Sequence, residues 1–202
     1  MDQDKLKTFG IVAGIAALVG SLVLVVCSAI QKAFDLIGIP CPFAKKLAAI
    51  ICVGNVLYVS PNISTLINAT TDNWYANLNN VLTGISIVKG MVAIPLADTD
   101  NKVIKMMFPA VETVINVIWN VPVIANIVVN TDVWDTTYKS LIPESIGNFA
   151  FNIGGILELP IALTEPPTNL ELFAAQAISM VTYGVFMVIA GGIYEWAPDQ
   201  HH

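Results

Sequence analysis

Two long uncharged stretches lie near the ends of the chain. Residues 9–30 and residues 172–194 contain no Asp, Glu, Lys or Arg, and they are 22 and 23 residues long. As an α-helix the first stretch would be roughly 33 Å long, whereas the hydrocarbon core of a bilayer is about 30 Å thick. Each stretch therefore predicts one helix that can cross a membrane.

Four shorter apolar runs lie between these stretches. One of them is uncharged and ends before Pro61, and each of the other three holds a single charged residue, which is Lys89, Glu112 or Glu158. These runs are residues 47–60, 81–97, 106–129 and 145–163. The whole pattern predicts an all-α bundle of about six helices in a single domain, residues 1–202, embedded in a membrane. The alternative is a soluble or secreted bundle in which the middle runs are buried core helices.

The N-terminal stretch also resembles a secretory signal. Lys5 and Lys7 precede it, and the small residues Cys-Ser-Ala at 27–29 lie near its end. Its apolar part is longer than that of most signals, so we expect a retained helix.

The middle of the chain contains two similar segments. Residues 55–61 (NVLYVSP) match residues 116–122 (NVIWNVP), and Gly90 precedes Pro95 by the same spacing as Gly155 precedes Pro160. The conserved order of these matches predicts an internal duplication. The quasi-repeats would cover about residues 7–60, 73–122 and 133–195, each of them a pair of helices.

Prolines predict where the paired helices end. One helix of each pair should end before Pro61 or Pro122, and the other should end at Pro95 or Pro160. The reason is that a proline disfavours helical geometry in the residue before it. Residues 98–101 (DTDN) resemble the start of a calcium-binding loop, but its later ligand positions do not match. We therefore expect these residues to cap a helix that begins near Lys102.

Basic residues and sequons predict one orientation. Lys is concentrated in the connections 31–46 and 98–105, whereas the connection 61–80 holds no Lys and two sequons for glycosylation, at Asn62 and Asn68. Basic loops remain on the cytoplasmic side, and sequons are used on the outer side, so both termini should lie outside. The lysines at positions 5, 7 and 139 run against this bias.

Composition excludes several classes of function. Charged residues are 12% of the chain, Arg is absent, and the net charge is −6, so nucleic acid would be repelled. The two histidines are the last two residues, His201 and His202, and no C-x-x-C or phosphate-binding glycine motif occurs. We therefore expect no catalytic residues, no cofactor, no metal and no nucleic-acid partner.

The ionisable residues inside the apolar runs are candidates for a polar site. Glu112, Lys89 and Glu158 would each cost a few kcal/mol in a bilayer without a partner or a wet cavity. One hypothesis is an intramembrane polar path with Glu112 at its centre and Lys89 or Glu158 as its partner. The interpretation favoured here is that Lys89 and Glu158 lie near helix ends, while Glu112 marks a wet helix face.

Amides and small residues in the same runs predict helix contacts. Asn55 and Asn116 occupy equivalent repeat positions, where we expect interhelical hydrogen bonds, or else the lining of a polar path. Gly10, Gly14 and Ala17 share one face of the first helix and would permit close packing, within the chain or with another subunit.

Three functions fit these features. The first is a non-catalytic structural, accessory or self-associating subunit of a membrane assembly, whose partners are the bilayer and other subunits or copies of itself. The second is a small channel or transporter with a polar path between repeats. The third is a secreted or soluble apolar bundle that self-assembles, binds lipid or inserts into membranes.

Overall fold

The protein is described here from a computed structural model that covers residues 3–63, 74–97, 99–129, 141–164 and 170–193, with side chains from residue 8 onward. These ranges contain seven helices and no strand, so the all-α prediction is confirmed. The helices are α1 Gln3–Leu36, α2 Ala44–Tyr58, α3 Trp74–Leu96, α4 Lys102–Val129, α5 Leu141–Ile156, α6 Glu158–Leu163 and α7 Leu170–Ile193. A further helical turn at residues 60–63 follows α2.

The helices form a closed ring. Each of α1 to α5 packs against the next helix along the chain, α5 packs against α7, and α7 packs against α1. In the last contact Gly10 lies against Gly191 and Leu18 lies against Gly184, so α1 and α7 are antiparallel. We call the side where α1 begins and α7 ends the terminal face. The opposite side, which carries the ends of α1, α3 and α6 and the starts of α2, α4 and α7, is the lysine face.

Small residues allow the closest of these helix contacts. A Cβ added at Gly14 would lie 2.5 Å from the carbonyl oxygen of Met187, and one added at Gly191 would lie 2.6 Å from that of Gly10. Ala17 is fully buried in the core. The small-residue face predicted on the first helix therefore lies against α7 of the same chain.

Two helix ends at the lysine face are set by local sequence. Gly38 adopts a φ of 68°, and its N–H donates to Asp35 while that of Ile39 donates to Phe34, which is the glycine-terminated ending expected for α1. At the start of α4 the Oδ1 of Asn101 accepts from the N–H groups of Val103 and Ile104 at 3.0 and 3.4 Å. The capping role predicted for residues 98–101 is thus confirmed at Asn101, whereas Asp98 lies outside the described residues.

Prolines have different effects in different helices. As predicted, α2 ends before Pro61 and α3 ends next to Pro95. The prediction for Pro122 is wrong, because α4 continues through it to Val129. Trp119 and Val123 are both buried on either side of this proline, so packing holds the helix together.

The helix made of α5 and α6 breaks at Leu157. Pro160 lacks an N–H and its ring crowds the carbonyl four residues earlier, that of Ile156. The Thr113 hydroxyl on α4 donates to this carbonyl oxygen at 3.3 Å. The break explains why the described ranges contain seven helices where about six are predicted, and it leaves Pro160 inside α6 and not at a helix end.

The outer surface of the ring is apolar. Large exposed side chains recur every three or four residues along α1, at Phe9, Val12, Ile15, Val19, Leu22 and Val26. Buried positions instead include several polar side chains, among them Ser21, Thr83, Ser86, Asn116, Ser145 and Asn152. Buried polar groups and a broadly apolar exterior are the reverse of what water favours.

Five helical segments are long and apolar enough to cross a membrane. They are Thr8–Leu36, Trp74–Leu96, Lys102–Val129, Leu141–Leu163 and Leu170–Ile193. The two long uncharged stretches of the sequence thus correspond to α1 and α7. The remaining helix of the ring, α2, has 15 residues.

Candidate functional site

Three ionisable side chains meet inside the ring. Lys89 on α3 donates from Nζ to Oε2 of Glu112 on α4, and the same Nζ lies 4.0 Å from Oε2 of Glu158 at the start of α6. The side chains of Lys89, Glu112 and Glu158 are 16%, 12% and 34% exposed. We refer to these residues as the triad.

The structure differs here from the interpretation favoured in the sequence analysis. Glu112 faces Lys89 between two helices and marks no wet surface. Lys89 lies seven residues before the end of α3, and Glu112 lies ten residues after the start of α4. At 1.5 Å per residue both are roughly 10–15 Å from the lysine face. An isolated charge in an apolar interior is costly, and each of these charges has a partner of opposite sign.

Asn116 positions Glu112 within the triad. Its Nδ2 donates to Oε1 of Glu112 at 3.0 Å and also to the Glu112 backbone carbonyl at 2.8 Å. The side chain of Asn116 lies directly against Gly155 on α5, where a Cβ would collide with it. A glycine at 155 therefore leaves the space in which this amide holds the carboxylate.

Further amides extend the polar interior from α4 to α7. Asn120 accepts at Oδ1 from Nδ2 of Asn152 on α5 at 3.0 Å. Gln176 on α7 donates from Nε2 to the Gly154 carbonyl at 3.2 Å. Asn55 on α2 lies against Gly90 on α3, with its Nδ2 3.3 Å from the position that a Cβ would take. These contacts are of the kind that hold apolar helices together.

A small cavity lies beside the triad at the centre of the ring. Residues from all six helices of the ring and from α6 line it, including all three members of the triad, Asn55 and Gln176. The cavity has a volume of about 30 Å³, which is room for about two water molecules. Ser86 also lines the cavity and is 7% exposed. Its Oγ has no hydrogen-bond partner in the described part of the chain.

An aromatic cluster lies on the terminal-face side of the cavity. Tyr58 stacks on Phe151 with ring centroids 4.9 Å apart, and Tyr183 meets both rings edge-on at 4.7 and 5.1 Å. Trp119 packs against Phe151 at 4.9 Å and donates from Nε1 to Oδ1 of Asn79 at 2.6 Å. These four rings come from four different helices, and two of them, Tyr58 and Phe151, line the cavity.

The structure brings together most of the candidate residues proposed from sequence. Glu112, Lys89, Glu158 and Asn55 line the cavity, and Asn116 lies directly behind Glu112. Sequence reasoning missed Ser86, although its position three residues before Lys89 places it on the same face of α3.

The predicted glycosylation sites are not supported in the same way. Asn62 is 8% exposed, so the folded protein does not present its amide for modification. Asn68 lies outside the described residues, as do His201 and His202.

Comparisons with known proteins give no relative. No family model matches the chain, and neither the curated proteins nor the solved structures contain a match. Among the described residues, no group of three or more His, Cys, Asp or Glu side chains could hold a metal ion.

Proposed function

We propose that the protein is an integral membrane protein whose ring stands upright in the bilayer. Three observations support this location: five helices have the length and composition to span, the exposed surface of α1 is a stripe of large apolar residues, and amides occupy the interior. A soluble bundle, the third function considered, would expose the same stripe to water.

The orientation follows from the lysines. Lys32, Lys45, Lys46, Lys102 and Lys105 belong to the helix ends at the lysine face. Positive residues favour the cytoplasmic side, so the lysine face would be cytoplasmic and the terminal face would be outside.

We also propose that the predicted duplication is reflected in the packing. Asn55 lies against Gly90 where α2 meets α3, and Asn116 lies against Gly155 where α4 meets α5. These are the same residue types at the positions matched by the internal sequence repeat. They support a ring of three quasi-repeated helix pairs, closed by the contact of α7 with α1.

We further propose that this membrane protein is a small channel or transporter, which moves a small cation through the central cavity. The observation that carries the proposal is the triad itself, because three ionisable side chains from α3, α4 and α6 converge on a cavity that every helix of the ring lines. Residues of this kind inside a membrane are costly, and they mark ion or proton pathways. With one ammonium and two carboxylates, the triad offers a surplus negative charge to a cation.

The aromatic cluster would be the closed barrier on this path. Glu158 retains 34% exposure and is the most accessible member of the triad, whereas the stacked rings of Tyr58 and Phe151 close the other side. The cavity would therefore be reached from the lysine face in this conformation, and passage outward would require the rings to separate.

Ion flux into vesicles tests this function. The purified protein is reconstituted into phosphatidylcholine and phosphatidylglycerol vesicles that contain a dye sensitive to H⁺, Na⁺ or K⁺, and a membrane potential of either sign is imposed. We expect flux of one cation with the wild-type protein and its loss in Glu112→Gln. The matched control is Glu171→Gln, an exposed position in the first turn of α7, which should retain flux. Absence of flux for all three cations, or unchanged flux in Glu112→Gln, contradicts the proposal.

One observation favours the structural-subunit hypothesis as the second candidate. The cavity has room for only about two water molecules, and the rings of Tyr58 and Phe151 close one side of it. On this hypothesis the triad only joins α3, α4 and α6, and the protein would be recovered from detergent extracts together with other membrane proteins or copies of itself. Flux in vesicles that hold this protein alone would decide against it.

A further inference from the structure

The two carboxylates of the triad are not equivalent. Both oxygens of Glu112 are occupied, Oε2 by Lys89 and Oε1 by Asn116 at 3.0 Å. The only ion-pair contact of Glu158 within the described structure is the longer one to Lys89, at 4.0 Å. Lys89 is thus the counter-ion of Glu112, and the surplus negative charge of the triad lies on Glu158.

That surplus charge is expensive where it lies. An ionised group in apolar surroundings costs several kcal/mol unless it is paired, hydrated or neutralised. The titratable groups that line the cavity with Glu158 are Lys89 on α3, Glu112 on α4 and Tyr58 on α2. The lining residues from α5 and α7 are not ionisable, so among the described residues that line the cavity Lys89 is the one cation beside this carboxylate.

The cavity also holds a buried polar group without a hydrogen-bond partner among the described residues. Ser86 is 7% exposed, its Oγ is buried and unpaired among the described residues, and it lines the same cavity as Glu158. Buried hydroxyl groups normally have hydrogen-bond partners, and the cavity is large enough for a water molecule to supply one. A water bound there could also exchange a proton with Glu158.

We infer that Glu158 is a proton-binding site and that the cation moved through the ring is H⁺; this inference rests on the proposed transport function and names its cargo. Glu158 takes a proton from hydronium in the cavity and releases one water molecule. The charge of the triad then changes from −1 to zero, while the Lys89–Glu112 pair remains intact. A metal cation fits the site less well, because the Lys89 ammonium lies 4.0 Å from the carboxylate that would bind it.

Infrared difference spectroscopy tests the proton site without relying on transport. The protein in lipid vesicles is compared at acid and alkaline pH, and the C=O stretch of a protonated carboxylic acid in apolar surroundings is measured in H₂O and D₂O. We expect a band that is lost in Glu158→Gln and retained in the exposed control Glu171→Gln; any band from Glu144, a partly buried carboxyl group on α5, is unaffected by either change. Circular dichroism of Glu158→Gln confirms that the helices are intact.

The outcomes separate this inference from the proposed function. If Glu158→Gln keeps all the carboxylic-acid bands of the wild-type protein, or if the wild-type protein has no such band, the proton site is overturned whatever the flux results are. A band that depends on Glu158, in a protein that moves no cation, leaves the proton site standing and contradicts transport. Flux of Na⁺ or K⁺ that continues in Glu158→Gln overturns the choice of H⁺.

Discussion

Replacing Lys89 by Met should destabilise the fold through the triad. The change keeps most of the side-chain volume but leaves the carboxylates of Glu112 and Glu158 facing each other without a cation. Removing one partner of a buried ion pair costs about 3–5 kcal/mol. We expect the lower end, about 3 kcal/mol, because Asn116 still donates to Glu112 and Glu158 keeps some access to water.

Unfolding in mixed micelles measures this loss. The protein is titrated with sodium dodecyl sulfate while helicity is followed by circular dichroism, and the free energies of the variants are compared. The matched control is Lys105→Met, an exposed site on α4, which should stay within about 0.5 kcal/mol of the wild type. Combining Lys89→Met with Glu112→Gln and Glu158→Gln should recover most of the stability, because no charge is then left unpaired. If Lys89→Met proves as stable as Lys105→Met, the triad makes no contribution to the fold.

Two further predictions concern packing. In the same titration Gly191→Ala should have a free energy of unfolding about 1–3 kcal/mol lower than that of Gly192→Ala. Both changes bring the same gain in helix propensity, but only the Cβ at position 191 meets the backbone of Gly10, at 2.6 Å. Equal free energies of unfolding for the two variants would show that α1 and α7 can move apart to admit the methyl group without a loss of stability. Trp119→Phe removes the hydrogen bond to Asn79 and part of a buried ring, so we expect the free energy of unfolding to fall by about 1–2 kcal/mol. An unchanged free energy of unfolding would mean that these contacts of the ring are not stabilising.

Hydrophobic pattern was sufficient to predict the helices because the signal is local. The two uncharged stretches became α1 and α7, and the Asn101 cap marks the start of α4 as expected. The rule that a proline ends a helix held at Pro61 and failed at Pro122. The difference lies in the tertiary contacts of Trp119 and Val123, which no local rule contains.

The site could be predicted only in part. The cost of a lone charge in an apolar run indicated that Lys89, Glu112 and Glu158 need partners, yet these residues are 23 and 46 positions apart in sequence. Which of them pair depends on the rotation of three helices about their axes. The signal for Ser86, its place on the same face of α3 as Lys89, was weak because a serine in an apolar helix usually bonds its own backbone. The structure shows that the Oγ of Ser86 has no partner among the described residues.

The seam between α1 and α7 also concerns how the protein is made. α1 is the first of these helices to leave the ribosome, and α7, its partner in closing the ring, is the last. Until α7 is made, the face of α1 around Gly14 lacks the helix against which it packs, and the polar interior is not yet enclosed. The ring therefore closes last, because the contacts of α1 to α5 with the next helix can form as each helix is made, whereas the contact of α1 with α7 must wait for α7.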